Sequence, residues 1–259
     1  MDLGISGRTA VVCASTQGLG RACATELARA GCTVVVNGRS PESTEKAAAD
    51  IAAETGATVV PVAGDLNEEA VQDRLVAAVD QVDILVNNNG GPPFRDFREI
   101  DREALLTGVV SNMATPIRLI QGVVDGMVER RFGRIVNITS SSVKMPIAGL
   151  DLSSGARIGL TGFMAGVARS VAHANVTVNF LLPGRFATGR LHSLYEKEAR
   201  DRGITVEQAA EAASADVPAG RPGDPAEFGA ACAFLCSAQA GYITGQSLLM
   251  DGGAYPGVL

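Results

Sequence analysis

The sequence predicts an α/β protein: a single doubly wound parallel sheet of about seven strands, with helices on both faces. Short apolar runs bounded by Gly, Asn or Asp alternate along the chain with longer segments of helical periodicity. The apolar runs lack polar alternation, which is typical of strands that are buried on both faces. No linker, repeat or low-complexity tract divides the chain, so we expect one domain over residues 1–259.

The predicted elements alternate in type, as βαβ units require. Seven short apolar runs are predicted as strands: 9–14, 33–37, 58–63, 84–86, 134–139, 175–181 and 247–250. Six periodic segments are predicted as helices: 20–30, 41–55, 67–79, 101–131, 152–172 and 225–237. The charged, Ala-rich stretch 184–223 is predicted to be irregular. Because ligands bind at the carboxyl edge of such sheets, we expect this stretch to form a substrate lid.

Composition argues against several classes of protein. The chain has 22 Lys and Arg against 28 Asp and Glu, a net charge of −6, so we expect neither nucleic acid nor an anionic membrane as a partner. No uninterrupted apolar run of about 18 residues and no signal-peptide pattern is present. The five cysteines include no Cys-x-x-Cys pair and both histidines are isolated, so we expect a reduced, cytoplasmic protein without a metal site.

A glycine-rich turn follows the first predicted strand and precedes a helix. It reads Ala14-Ser15-Thr16-Gln17-Gly18-Leu19-Gly20. Glycines allow the backbone to approach a pyrophosphate, whose charge the helix N-terminus stabilises. The turn therefore predicts a dinucleotide site formed by Ser15, Gln17, Gly18, Leu19 and Gly20. The alternative is a tight packing turn without a ligand.

Arg39 follows the second predicted strand, where dinucleotide-binding folds often carry an acid for the ribose 2′-hydroxyl. The acid is absent here, and an arginine suits a 2′-phosphate. We therefore expect NADP(H) to be preferred over NAD(H). The alternative is that Arg39 is a solvated loop cation.

These residues resemble the short-chain dehydrogenase/reductase family, in particular its 3-oxoacyl-carrier-protein-reductase-like branch, over essentially the whole chain. The family's Thr-Gly-x-x-x-Gly-x-Gly falls on residues 13–20, with Cys13 and Ala14 departing at the first two positions. Its other motifs match Asp65-Leu66, Asn87-Asn88-Asn89-Gly90 with Asn89 in place of Ala, Pro183-Gly184-x-x-x-Thr188, and the closing segments 242–246 and 251–253.

The resemblance implies a Rossmann-type fold and assigns roles to individual residues. It implies that Asp65 and Leu66 contact adenine, that Asn88, Asn89 and Gly90 lie along the cofactor, and that Pro183, Gly184 and Thr188 bind the nicotinamide carboxamide. Ser140, at the end of the fifth strand, would bond the substrate carbonyl or leaving oxygen. Asn112 would occupy the fourth catalytic position. The resemblance also implies a homo-oligomer, a tetramer.

The family's Tyr-x-x-x-Lys pair is missing, since Ser153 and Arg157 stand at its two positions. No shift of register restores it, because the lysines are Lys46, Lys144 and Lys197 and the tyrosines are Tyr195, Tyr242 and Tyr255. A serine hydroxyl is a much weaker acid than a phenol, and an arginine stays protonated. One helical turn apart, the pair points to one side, so we expect both residues to contact substrate and cofactor. The alternative is a helix face without a catalytic role.

Two further features bear on proton transfer. Pro116 lacks the N–H that would pair with the Asn112 carbonyl in an α-helix, which predicts a free carbonyl that could hold a water; alternatively, Pro116 only kinks the helix. His192, Tyr195, Asp151, Ser153 or water could replace the missing proton donor. For His192 and Tyr195 the plain alternative is lid surface or lid packing.

Together these residues predict an NADP-dependent oxidoreductase that transfers hydride between NADP(H) and a small carbonyl, imine or activated alkene. Residues toward the nicotinamide end, namely Asn112, Ser140 and Thr188, favour an enzyme. The loss of the tyrosine and lysine favours the alternative, a catalytically silent dinucleotide-binding protein with a regulatory or assembly role.

Overall fold

The structure is a computed structural model that describes residues 2–257. Its centre is one parallel sheet in the order β3-β2-β1-β4-β5-β6-β7. The strands are β1 (Thr9–Val12), β2 (Thr33–Gly38), β3 (Val59–Ala63), β4 (Ile84–Asn87), β5 (Gly133–Ile138), β6 (Val176–Pro183) and β7 (Ser247–Met250). The strand order reverses between β1 and β4, which is where open α/β sheets bind ligands at the carboxyl ends of their strands. The predicted fold class is confirmed.

Helices cover both faces of the sheet. They are α1 (Gly18–Arg29), α2 (Pro41–Thr55), α3 (Glu69–Val76), α4 (Arg102–Val109), α5 (Thr115–Glu129), α6 (Asp151–Val171), α7 (Gly189–Arg202), α8 (Val206–Ala215) and α9 (Pro225–Leu235). Alternate strand residues enter different layers: Val34 and Val36 belong to the same hydrophobic cluster as Phe228 of α9, whereas Val35 belongs to the cluster that contains Leu119 of α5. Burial on both faces explains why the strands are continuously apolar.

The region predicted to be irregular, 184–223, contains two helices, so that prediction was wrong. Thr188 caps α7 by accepting a hydrogen bond from the Leu191 N–H, and Thr205 forms a capping box with Gln208 at α8. Helix α7 buries only Leu191 and Ala199, so its sequence shows little of the apolar periodicity that predicts a helix. The region after β6 is therefore an ordered helical pair.

The segment predicted as one helix over 101–131 is divided. Its two α-helical parts, α4 and α5, are joined by a π-helical turn at Val110–Ala114. The predicted helix 67–79 is shorter in the structure, where α3 begins at Glu69 and ends at Val76. Within residues 2–257, no helix is both long enough and apolar enough to cross a membrane.

Candidate active site

The glycine turn connects β1 to the N-terminus of α1 at the carboxyl edge of the sheet. Gln17 is the N-cap of α1, its side chain makes no capping hydrogen bond, and the first turn holds no acid. The partial positive charge of this helix end is therefore not neutralised by the helix's own side chains. A Cβ on Gly20 would lie 2.3 Å from the Ala14 carbonyl oxygen and 2.7 Å from Asn88 Nδ2, so only glycine fits there. This arrangement fits a pyrophosphate group.

Ala14 retains the backbone conformation that favours glycine, with φ of +44°. Two asparagines hold it there: its N–H donates to Asn37 Oδ1 at 3.1 Å, and its carbonyl accepts from Asn88 Nδ2 at 3.1 Å. Ser15 is fully buried, and its hydroxyl donates to the Val12 carbonyl at 2.7 Å. The side chain of Ser15 therefore fixes the turn, and any contact that Ser15 makes with a cofactor would come from its backbone.

The end of β2 lies beside this turn and explains the missing acid. A Cβ on Gly38 would lie 2.3 Å from Thr16 Cγ2 and 2.6 Å from Thr44 Oγ1, so a carboxylate side chain at position 38 would require both threonine side chains to shift. Arg39 is exposed and forms no ion pair or hydrogen bond with any residue between 2 and 257. Its guanidinium is thus available to an anionic group at this end of the site.

The residues after β4 join the glycine turn to the π-helical turn. Asn88 reaches Ala14, as described above. Asn89 Nδ2 donates to the Ser111 carbonyl at 3.0 Å, and its Oδ1 accepts from the Gly90 N–H at 2.8 Å. The asparagine found where the family has alanine therefore ties this loop to the helix that carries Asn112. Asp65 accepts a hydrogen bond from the Asn67 N–H at 2.9 Å, and Leu66 is buried beside it.

The prediction of a free Asn112 carbonyl assumed an α-helical register around Pro116. The structure has a π-helical turn at this point instead. The Thr115 N–H donates to the Val110 carbonyl, five residues earlier. In this register, the N–H that Pro116 lacks would have faced Ser111 rather than Asn112. The Ser111 carbonyl instead accepts from Asn89. The Asn112 side chain is buried, and its Nδ2 donates to the Gly108 carbonyl at 3.3 Å.

Ser153 and Arg157, both in α6, form a hydrogen-bonded pair next to the end of β5. Arg157 Nε donates to Ser153 Oγ at 3.1 Å, and Arg157 Nη1 donates to the carbonyls of Ile138 at 2.8 Å and Thr139 at 2.9 Å. Both side chains are buried. Burial lowers the pKa of the Arg157 guanidinium to about 10, and the charge of Arg190 contributes to this shift. Arg157 therefore remains a cation at neutral pH.

Ser140 lies two residues beyond the end of β5 and is partly exposed. Its hydroxyl oxygen accepts a hydrogen bond from the Ser142 N–H at 3.1 Å. Because a hydroxyl that accepts in this way keeps its own proton free, Ser140 can donate toward the cleft. The neighbouring residues Ser141 and Ser142 are buried.

A cavity of about 20 Å³ lies between β4, β5, α6 and the π-helical turn. Asn87, Asn112 and Arg157 contribute to its lining. The Oδ1 atoms of Asn87 and Asn112 are buried and have no hydrogen-bond partner in the described part of the chain. The volume admits about one water molecule, and the two oxygens and the guanidinium are suitable partners for it. The sequence analysis named Asn87 only as part of the matched Asn87-Asn88-Asn89-Gly90 motif and gave it no role, although an asparagine that ends an apolar strand is a signal for a buried polar site.

The residues after β6 face the glycine turn. Thr188 lies across from Gly18, where a Cβ would be 3.6 Å from Thr188 Cγ2. The Gly184 N–H donates to the Met250 carbonyl at 2.8 Å, and a Cβ on Gly184 would lie 2.7 Å from Asp251 Cβ. This close approach explains the glycine that follows Pro183. Thr188 is therefore brought to the same cleft as the turn before α1.

Three residues were predicted as alternative proton donors: His192, Tyr195 and Asp151. His192 is exposed, with Nε2 3.4 Å from Glu196 Oε1. Burial raises the pKa of Tyr195, which makes its hydroxyl a weaker acid. Asp151 is exposed at the start of α6. Within the described residues, no hydrogen bond joins any of the three to Ser140, Ser153 or Arg157.

Comparisons with known proteins show which family shares this sequence and fold. Residues 13–255 match the family model described as Enoyl-(Acyl carrier protein) reductase. The NADPH-dependent reductase BacG of Bacillus subtilis is 31% identical over 255 residues, covering 96% of this chain and 98% of BacG. The 3-oxoacyl-[acyl-carrier-protein] reductase FabG of Vibrio cholerae is 34% identical, covering 98% of this chain and 99% of FabG.

Solved structures give the same result. YwfH, an NADPH-dependent reductase involved in bacilysin biosynthesis, superposes with a TM-score of 0.92 at 30% identity, covering 98% of this chain and 100% of YwfH. L-sorbose reductase from Gluconobacter frateurii, solved with NADPH and L-sorbose, has a TM-score of 0.95 at 27% identity, and the match covers 100% of both chains. The protein therefore belongs to the short-chain dehydrogenase/reductase family of oxidoreductases, on its 3-oxoacyl-carrier-protein-reductase-like branch.

Proposed function

We propose that the protein is an NADPH-dependent reductase that acts on a small molecule with a conjugated C=C or a C=N bond, in preference to a simple ketone. The observation that carries this proposal is the bonded pair of Ser153 and Arg157. The Nε–Oγ distance of 3.1 Å and the burial of both side chains give a fixed cation and a hydroxyl, with no phenol at this position.

The cofactor part of the proposal rests on the glycine turn and Arg39. The N-terminus of α1 and the space left by Gly20 suit the pyrophosphate. The unpaired guanidinium of Arg39 suits a 2′-phosphate, and the crowding at Gly38 disfavours the carboxylate that would select NAD. When bound, NADPH supplies the hydride. The names of the relatives BacG and YwfH, both NADPH-dependent reductases, support the same cofactor.

Two hydroxyls in this site are each left with a proton to donate. Ser140 accepts from a backbone N–H, and Ser153 accepts from the Arg157 guanidinium. A hydroxyl that accepts a hydrogen bond from a cation becomes a stronger donor, because the charge polarises its O–H bond. We infer that Ser140 orients the substrate and that Ser153 and Arg157 stabilise negative charge without an effective transfer of a proton.

The missing phenol determines which acceptors are favoured. Reduction of a ketone creates an alkoxide, a strong base, and positioned acid catalysis contributes about 10²- to 10⁴-fold to such steps. Hydride addition to an enone creates an enolate, whose charge is delocalised and which then takes a proton from water. Hydride addition to an iminium ion gives a neutral amine, so that step needs no proton. The description Enoyl-(Acyl carrier protein) reductase belongs to the matched family and supports C=C reduction.

The test is NADPH oxidation, followed by absorbance, with a matched panel of cyclohexanone, cyclohexenone and a cyclic iminium ion. The proposal predicts faster turnover with the enone or the iminium than with the ketone. Faster turnover with the ketone would contradict it. Binding of NADPH without oxidation by any of the three would overturn it in favour of the silent dinucleotide-binding protein.

We also propose that the protein is a homo-oligomer, a tetramer by its resemblance, in a reducing, cytoplasmic setting. Leu105, Leu106, Ile158 and Phe163 are 48–51% exposed on α4 and α6. These helices pack closely, since a Cβ on Gly108 would lie 2.7 Å from Leu152 Cδ1. The two helices thus expose apolar side chains that a second copy could cover. Light scattering tests this: wild type should be oligomeric, and Phe163→Glu should dissociate it.

A further inference from the structure

Arg190, the second residue of α7, is exposed and forms no ion pair or hydrogen bond with any residue between 2 and 257. A positive charge in the first turn of a helix opposes the helix dipole and is destabilising. No acid lies in this turn to compensate. Helix stability therefore does not explain why an arginine occupies this position.

The guanidinium of Arg190 lies against Gly91, in the loop that follows β4. A Cβ on Gly91 would be 3.0 Å from Nη1, 3.2 Å from Nη2 and 3.5 Å from Cζ of Arg190. All three guanidinium atoms thus lie close to the position that a side chain at residue 91 would occupy. The Arg190 guanidinium therefore lies at the carboxyl edge of the sheet, between α7 and the loop that contains Gly90.

A second cation, the buried Arg157, adds to the positive charge in this region. The charge of Arg190 adds to burial in lowering the pKa of Arg157 to about 10, so the two guanidinium groups interact electrostatically. Within the described residues, neither group has a carboxylate within the 4.0 Å of an ion pair. The N-terminus of α7 adds positive potential at the same place. The exposed guanidinium of Arg190 beside a helix N-terminus, with the charge of Arg157 behind it, makes this part of the cleft suitable for an anion.

The other arginine near the start of this region serves the fold. Arg185 bonds the Ala213 carbonyl and lies 3.6 Å from Asp216 Oδ2. Its guanidinium connects the segment after β6 to α8 and is therefore occupied within the protein. Of these two arginines, only Arg190 is available to a ligand.

We propose that Arg190 binds the carboxylate of an anionic substrate, a small organic acid whose reducible double bond then lies near Ser140. A guanidinium matches a carboxylate with two parallel hydrogen bonds, and the absence of a side chain at Gly91 leaves room for the guanidinium. This inference rests on the proposed function, which supplies the reduction of the substrate's C=C or C=N bond. The binding of the acid is a property of the cleft, so it is measured without turnover.

The probes are 4-oxocyclohex-2-ene-1-carboxylate and its neutral methyl ester, titrated by calorimetry into the protein loaded with NADP⁺. Arg190→Ala should weaken binding of the acid about tenfold to hundredfold and leave binding of the ester unchanged. Arg200→Ala is the matched control, because Arg200 is exposed on the same helix without a partner among residues 2–257. It should alter neither.

Several outcomes would overturn the inference. One is wild-type protein that binds the acid no more tightly than the ester, and another is an equal loss for acid and ester in Arg190→Ala. A matching loss of NADP⁺ affinity would assign Arg190 to the cofactor instead. Acid binding that depends on Arg190, without NADPH oxidation, would support this inference while the proposed function failed. Oxidation of NADPH by the enone without an effect of Arg190 would leave the proposed function standing alone.

Discussion

Arg157 Nε lies 3.1 Å from Ser153 Oγ, so the two residues at the positions of the family's tyrosine and lysine are hydrogen-bonded to each other. Two further hydrogen bonds fix the Arg157 guanidinium to the carbonyls of Ile138 and Thr139 at the end of β5. The positive charge is thereby held at the end of β5, but the acidic phenol is absent. The chemistry proposed for the site follows from this difference.

The double substitution Ser153→Tyr with Arg157→Lys should raise the kcat for reduction of cyclohexanone at least tenfold. A phenol next to an ammonium group is a far better proton donor than a serine hydroxyl, and acid catalysis contributes about 10²- to 10⁴-fold. NADPH affinity, measured by fluorescence titration, is the control and should change little. An unchanged rate in a folded, NADPH-binding double variant would show that the surrounding pocket does not accept a ketone.

Arg39→Ala should weaken NADPH binding about tenfold to hundredfold and leave NADH binding nearly unchanged. The expected loss is that of a charge-assisted hydrogen bond to the 2′-phosphate, which NADH lacks. Binding is measured by fluorescence titration with each cofactor, with Arg200→Ala as the surface-cation control. Equal weakening with both cofactors would contradict the assignment, and so would tighter binding of NADH than of NADPH to wild type.

Ala14→Gly should stabilise the fold by about 0.5–1 kcal/mol. Ala14 is held at φ of +44°, where an L residue with a side chain is strained and glycine is not. Ala30→Gly is the contrasting control, because Ala30 has φ of −78° at the end of α1, and it should destabilise by about 0.5–1 kcal/mol. Urea unfolding measures both. Destabilisation by Ala14→Gly would show that the turn tolerates the alanine without strain.

Stability should fall as the pH rises above 9. Burial raises the pKa of the Cys13 and Cys32 thiols from 9.0 to about 12, whereas the thiols of the unfolded chain ionise near 9.0. Between these pH values the unfolded state binds fewer protons than the folded state. Each thiol therefore lowers the free energy of unfolding by about 1.4 kcal/mol per pH unit. Below pH 9 both states are protonated and this effect is absent.

The check is urea unfolding at intervals from pH 8 to pH 11. Cys13→Ala should reduce the slope of unfolding free energy against pH by the contribution of one thiol, about 1.4 kcal/mol per pH unit. Val11→Ala, a buried residue of the same core layer, should lower stability but keep the slope. An identical slope in wild type and Cys13→Ala would contradict the assigned pKa.

The strands and the central helices were predictable because each buries a continuous apolar surface. Val34, Val35 and Val36 are apolar in sequence because the two faces of β2 pack into different layers. Helix α7 was missed for the opposite reason, since Leu191 and Ala199 are its only buried residues. Helix prediction by periodicity depends on such burial.

The site was predictable in part. The glycine turn could be placed from sequence because Gly20 is required by a close approach between two parts of the chain. The register of the π-helical turn could not, because the i to i+5 pairing of Val110 and Thr115 has no signature in residue types. Nor could Arg190 be distinguished from Arg185, since what separates them is the contact of one with Gly91 and of the other with Ala213.

The most direct test of the central claim is the position of deuterium in the product after reaction of cyclohexenone with NADPH labelled at the transferred hydrogen. If Ser153 and Arg157 stabilise an enolate, deuterium will appear at the β-carbon and the ketone will remain. Deuterium at the carbonyl carbon, giving an allylic alcohol, would show that the site protonates an alkoxide effectively and would contradict the account.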